Sequence, residues 1–84
     1  YYVYILFSEG IGEYYCGQCN NVADRLRRHN SGETQSIRHG RPWKLTGYLE
    51  VSTRSLAMQT EKRIKKRGIK RWLQEHSHEL IISL

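Results

Sequence analysis

From Tyr1 to Phe7 every position is aromatic, β-branched or apolar, and a second strand-like segment runs from Glu13 to Cys19. Ser8, Glu9, Gly10, Ile11 and Gly12 between them are turn formers, so the pattern predicts a β-hairpin. Val22, Ala23 and Leu26 then mark one face of a helix of about three turns, capped by Asn20 or Asn21 and closed by Ser31 and Gly32. Residues 33–42 are polar, glycine-bearing and irregular. Beyond Pro42, the residues Trp43, Leu45, Tyr48, Leu49 and Val51 predict a third strand. Ser52 or Thr53 caps a second helix, which reaches to about Arg67 with Leu56, Ala57, Thr60 and Ile64 inward. Gly68 interrupts it, and Ile69, Trp72 and Leu73 predict a short third helix. The tail from Leu80 to Leu84 reads equally as a helix end or a strand. The order ββαβαα predicts an α+β fold, a small three-stranded antiparallel sheet flanked by helices.

This pattern also sorts the polar residues. With Val22 at 0° on a helix, Leu26 falls at about +40°, His29 at about −20°, Arg25 at about −60° and Arg27 at about +140°. Arg25 and His29 therefore border the buried face, while Arg27 points to water. In the hairpin, Tyr2, Tyr4 and Leu6 share a face, and a register pairing residue 4 with residue 17 puts Tyr15 and Gly17 on that face too. A slip of one residue would present Cys16 instead.

Length and charge narrow the partner. Eighty-four residues suffice for one domain, expected over 1–84, with a modest core, so a large substrate must lie across its surface. The formal charge of +6 fits a polyanion such as nucleic acid, and charge alone fits an acidic membrane surface equally. No apolar run approaches the length of a membrane span and the sequence shows no signal peptide, so neither a membrane span nor secretion is expected, and no membrane partner is expected. The two cysteines, Cys16 and Cys19, do not make a disulfide framework, and the expected setting is reducing and cytoplasmic. Their CxxC spacing invites a zinc or redox reading. On a strand, however, residues three apart face opposite sides, and no helix starts after Cys16 as redox chemistry would need. Tyr1 is not a methionine and strand character begins at once, which leaves room for a longer parent chain.

Glu61 lies four residues after Ala57 and three before Ile64, at the edge of the second helix's inward stripe. The other acids fall in turns, a helix start, a strand end or the polar tail. A divalent ion such as Mg2+ needs only one or two carboxylates beside water and phosphate oxygens, so Glu61 is the candidate metal ligand. It also has a local alternative, an i,i+4 pair with Lys65. The basic residues Arg27, Arg28, Arg38, Arg41, Lys62, Lys65, Lys66 and Lys70, accompanied by Arg63, Arg67 and Arg71, are read as a phosphate-tracking surface with little base specificity. Trp43 and Trp72 are expected as core anchors.

The hairpin ends read Tyr2-Val3-Tyr4 and Tyr15-Cys16-Gly17, separated by ten residues. Arg25 with His29, Asn30, Ser31 and Gly32, and later Ala57 with Glu61, follow in order. This set resembles the GIY-YIG nuclease family over nearly the whole chain. Arg38, Arg41, Pro42, Trp43 and Leu45 are similar to residues of its small standalone bacterial members. The resemblance implies hydrolysis of DNA assisted by one divalent ion, Mg2+ or Mn2+, with no small-molecule cofactor. It assigns Tyr4 to take the proton of the attacking water and Tyr15 to position water or phosphate. Arg25 would stabilise growing phosphoryl charge, His29 would hydrogen-bond or deprotonate Tyr4, and Glu61 would hold the metal. A free tyrosine has a pKa near 10, so Tyr4 depends on such neighbours to act as a base. The chain departs from the pattern at Tyr2, Val3, Cys16 and Cys19. It also has no asparagine after Asn30, where many members carry one near the domain's end. The alternative expectation is a non-catalytic nucleic-acid-binding module on the same fold.

Overall fold

The hairpin forms as β1 (Tyr2–Ser8) and β2 (Glu13–Cys19), antiparallel, with Tyr4 opposite Gly17 and Leu6 opposite Tyr15. A computed structural model describes residues 1–82. The turn closes on a 2.8 Å hydrogen bond from the Gly12 amide to the Ser8 carbonyl, with Gly12 at φ 66°, a conformation that costs glycine little. β3 (Trp43–Glu50) pairs antiparallel with the other edge of β1, giving the order β2-β1-β3 with an irregularity between Ile5 and Leu6. Since β1 is central, Val3, Tyr4, Ile5 and Leu6 are all buried, alternately on the two faces.

α1 (Val22–Ser31) starts where the Asn21 side chain accepts from the Asp24 amide at 2.9 Å and stops at left-handed Gly32. α2 (Arg54–Arg67) is capped by Thr53, and Gly68 separates it from α3 (Ile69–His76). Val22 of α1 packs on the sheet face that carries Tyr4, Leu6 and Trp43. Ala57 and Ile64 of α2 pack with Trp72 and Leu73 of α3 on the face that carries Val3, Ile5 and Cys16. Side chains of the size of Val, Ile and Leu each contribute roughly 1.5–3 kcal/mol when fully buried. Trp43 and Trp72 are both core residues, on opposite sides of the sheet.

Several elements differ from the pattern reading. Residues 33–42 are not irregular throughout, because Gln35–Gly40 winds into a 3₁₀ helix that buries Ile37. The Trp43 indole N–H donates to the Ile37 carbonyl at 2.8 Å and pins that segment over the sheet. A second 3₁₀ turn, Ser77–Glu79, follows α3. Ala23 and Leu56 are exposed rather than inward, both lying in the first turn of their helices. In the tail, Tyr48 and Ile81 exchange two backbone hydrogen bonds of 2.9 Å, so Ile81 is strand-like. The part of the tail reading that falls on residues 83–84 lies outside the described residues. No helix among the described residues is long and apolar enough to cross a membrane.

Candidate functional site

Three aromatic rings and one guanidinium converge between β1, β2 and α1. The Tyr4 hydroxyl lies 2.7 Å from His29 Nε2, in a buried hydrogen bond that joins residues 25 positions apart. The other ring nitrogen, Nδ1, lies 2.8 Å from Thr34 Oγ1 just beyond the end of α1. His29 thus has a partner on each side and is itself buried, not at the border of the helix face as its angle predicts. The difference arises because the chain turns at Gly32 and returns over the C-terminal end of α1, enclosing the imidazole. Half-buried Tyr15 packs edge-on to His29, with centroids 5.4 Å apart, and its ring lies 6.2 Å from that of Tyr4.

Electrostatics follow from this enclosure. Burial holds the Tyr4 hydroxyl well above the ordinary tyrosine value; Tyr15 adds to that shift, and the nearby Arg25 guanidinium opposes it by favouring the phenolate. Burial, with Arg25 beside it, lowers the pKa of His29. At neutral pH, Tyr4 is therefore a phenol and His29 a neutral imidazole. That combination lets the phenol donate to Nε2 while Nδ1–H donates to Thr34 Oγ1.

Gly17 and Asn30 set the geometry. A β-carbon at Gly17 would stand 2.7 Å from Tyr4 Cζ and nearer still to its hydroxyl oxygen, so only glycine leaves room for the phenol. Asn30 donates from Nδ2 to the Trp43 carbonyl at 2.9 Å and accepts from the Trp43 amide at 2.6 Å. This clamp fixes the end of α1 to the start of β3.

Glu61 stands apart from this cluster. It is on α2, across the sheet from α1, and borders Cys16 on β2, which is the open edge of the sheet. Its Oε2 accepts from Lys65 Nζ at 3.1 Å, the i,i+4 pair that the sequence allows. Lys65 in turn reaches to 5.9 Å from the Tyr15 ring centre. The structure thus brings Tyr4, Tyr15, Arg25 and His29 together and sets Glu61 at the edge, connected to them through Lys65 and Tyr15. Among the described residues, no three His, Cys, Asp or Glu side chains cluster as a metal cage. The donor set fits an ion held by one carboxylate and otherwise by water and phosphate oxygens, as Mg2+ tolerates, with Lys65 as its competitor.

The cysteines face opposite sides: Cys16 lies in the core under α2 and Cys19 in the core under α1. The basic residues do not form one surface but divide between the two helical layers. Arg27 and Arg28 share Asp24 at 2.8 and 3.0 Å, and exposed Arg38 and Arg41 flank Gly32. Lys62 and Lys66 line open grooves on α2 with Arg63, Arg67 and Arg71, and Lys70 is exposed on α3. Sequence reasoning missed the roles of Thr34 and Asn30. A hydroxyl five residues beyond His29 and an asparagine in the last turn were the available signals.

The family model described as the GIY-YIG catalytic domain matches residues 1–76. Comparisons with curated proteins and with solved structures give no significant match. The match spans nearly the whole chain, and the chain belongs to the GIY-YIG family, whose domains have a nuclease-type fold.

Proposed function

We propose that this member of the GIY-YIG family hydrolyses phosphodiester bonds of DNA with the help of a divalent ion, using Tyr4, Tyr15, Arg25, His29 and Glu61. The observation that carries the reading is the buried hydrogen bond of 2.7 Å between the Tyr4 hydroxyl and His29, beside Arg25. A buried phenol cannot rest as a phenolate, because desolvation penalises the anion. It acts as a base only by passing its own proton on while it receives one. Neutral His29 is the acceptor: as water gives a proton to the Tyr4 oxygen and attacks phosphorus, the phenol proton moves to Nε2, while the P–O bond to the leaving strand end breaks and that oxygen takes a proton from solvent. Thr34, accepting from Nδ1–H, holds the imidazole in the tautomer this requires.

Arg25 serves two states. It favours negative charge at Tyr4, and its planar fork matches the oxygens of a phosphoryl group whose charge grows in the transition state. Tyr15, flanked by His29 and Lys65, orients water or a phosphate oxygen. Glu61 would hold a Mg2+ or Mn2+ ion, which supplies Lewis-acid stabilisation of phosphate oxygens. Exposed Arg38 and Arg41, with Arg27 and Arg28, supply sequence-independent phosphate contacts on the α1 side, and Lys62, Lys65, Lys66 and Lys70 supply them on the α2 and α3 side.

The deciding experiment is incubation with supercoiled and branched DNA with Mg2+ or Mn2+, and then with EDTA. Nicking that needs the metal and falls in Arg25→Ala and Glu61→Ala is the expected result. Nicking undiminished in both variants overturns the assignment. DNA binding without any cleavage leaves a nucleic-acid-binding module on this fold.

A further inference from the structure

Beside the tyrosine–histidine cluster lies a surface cavity of about 310 Å3, bounded by Tyr1 before β1, by Gln18, Cys19 and Asn20 at the end of β2, and by Arg25 and Arg54. The two arginines come from different helices on opposite faces of the sheet and line this one cavity at the end of β2. Among the described residues neither makes an ion pair. Arg27 and Arg28, by contrast, both engage Asp24, and Arg67 engages Glu75. Two like charges sharing a cavity without a counterion repel each other, an arrangement that an anion between them relieves.

Arg54 breaks a local rule as well. It is the first residue of α2, directly after the Thr53 cap, and the first turn of α2 contains no acid. A cation there opposes the positive end of the helix dipole, whereas α1 places Asp24 in the corresponding turn. Local conflicts of this kind concentrate at functional sites. On the wheel of α2, Arg54, Glu61 and Lys65 fall within about 40° of one another and so form one stripe along the helix. Its members meet β2 in order: Arg54 beside Cys19, Glu61 beside Cys16 and Lys65 beside Tyr15.

We propose that Arg54, across this cavity from Arg25, forms a second phosphate subsite, which holds a phosphate of the same strand flanking the attacked one that Arg25 contacts, so that the strand runs along the free edge of β2. Arg54 is then a positioning residue that sets the register of the strand. The proposal rests on the nuclease reading for the identity of the strand, but the site is a binding site and is testable without turnover.

The test uses two probes in EDTA: a thymidine dinucleotide with one phosphodiester and a trinucleotide with two, neither carrying a terminal phosphate. Affinities are read from NMR shift titrations of the whole chain. For the wild type, the second phosphate is expected to tighten binding about fivefold to tenfold, the gain typical of one charge-assisted contact. Arg54→Ala should keep its affinity for the dinucleotide within about twofold, lose most of that gain, and recover part of it as Arg54→Lys. An unchanged gain in Arg54→Ala, or a wild type that binds neither probe, overturns the proposal. An amide spectrum unchanged outside the pocket shows that each variant is folded. If the gain depends on Arg54 but DNA is never nicked with Mg2+ or Mn2+, the subsite stands and the nuclease reading fails.

Discussion

The Tyr4 phenol occupies the space that a side chain on Gly17, its partner across the β1–β2 ladder, would fill. The same hydroxyl is bonded to His29, so the emptiness of position 17 is what lets the tyrosine reach the imidazole. Gly17→Ala puts a methyl group into the ring. It is expected to destabilise the fold by about 1–3 kcal/mol, as overpacking of a tight core does, and to cut nicking by roughly 100-fold or more through displacement of Tyr4. Urea unfolding and a plasmid-nicking assay measure the two effects. Wild-type nicking by Gly17→Ala would show that Tyr4 need not sit where it does.

Tyr4→Phe keeps the ring and removes only the oxygen. A loss of about 1–3 kcal/mol is expected, since His29 Nε2 is left buried without its partner. Nicking should fall by about 10²–10⁴, the usual scale for a lost general base. A variant that is folded and fully active would remove Tyr4 from the chemistry.

His29 makes stability depend on pH with a definite sign. Its folded pKa lies below the ordinary 6.5, because burial and Arg25 disfavour the imidazolium. Below about pH 6.5 the unfolded chain therefore binds the proton more readily than the folded one, and stability falls on acidification until the folded pKa is passed. Thermal melts between pH 7.5 and 5 (both on the order of the titration range) should show this slope in the wild type and a shallower one in His29→Gln. The acid limb of the nicking profile should likewise lie below pH 6.5. Parallel melting curves for the two proteins would contradict the linkage.

Lys65 and a divalent ion compete for Glu61. Replacing Lys65 by Met frees the carboxylate and is expected to lower the Mg2+ concentration that half-activates nicking about twofold, a size set by a half-exposed i,i+4 pair. Glu61→Ala should raise that concentration far beyond the wild-type value while DNA affinity holds or increases. An unaltered metal requirement in Glu61→Ala would free this residue of any metal role.

Asn30→Ala removes both hydrogen bonds to the Trp43 backbone and with them the tie between α1 and β3. A destabilisation of about 1–3 kcal/mol is expected from denaturant melts. Asn30→Asp should do no better, since a carboxylate oxygen would face the Trp43 carbonyl. Retention of wild-type stability by either variant would show that the clamp is dispensable.

Much of the fold was legible because its signals are local. The Asn21 cap, the stops at Gly32 and Gly68 and the alternation in β1 each act within one turn or a few residues. The assumed register of residue 4 with residue 17 is the one found, as alternation of buried and open positions requires. The family resemblance was likewise written in short runs at fixed spacing. The 3₁₀ helix over Gln35–Gly40 was not legible, because Ile37 has no periodic companions and is held by a single tryptophan that follows it.

By itself, the sequence determined the element order, the candidate residues Tyr4, Tyr15, Arg25 and His29, and the Glu61–Lys65 pair on one helix face; between the two hairpin registers it allowed, the structure chose. Tertiary structure alone decided that His29 is sealed between Tyr4 and Thr34, that Glu61 stands around the open edge of β2, and that Arg54 lines one cavity with Arg25. The physical reason is range. Periodicity, caps and turns are fixed by neighbours within a few positions, whereas burial, pKa and the sharing of a cavity by residues from opposite faces of a sheet depend on how distant segments close over one another.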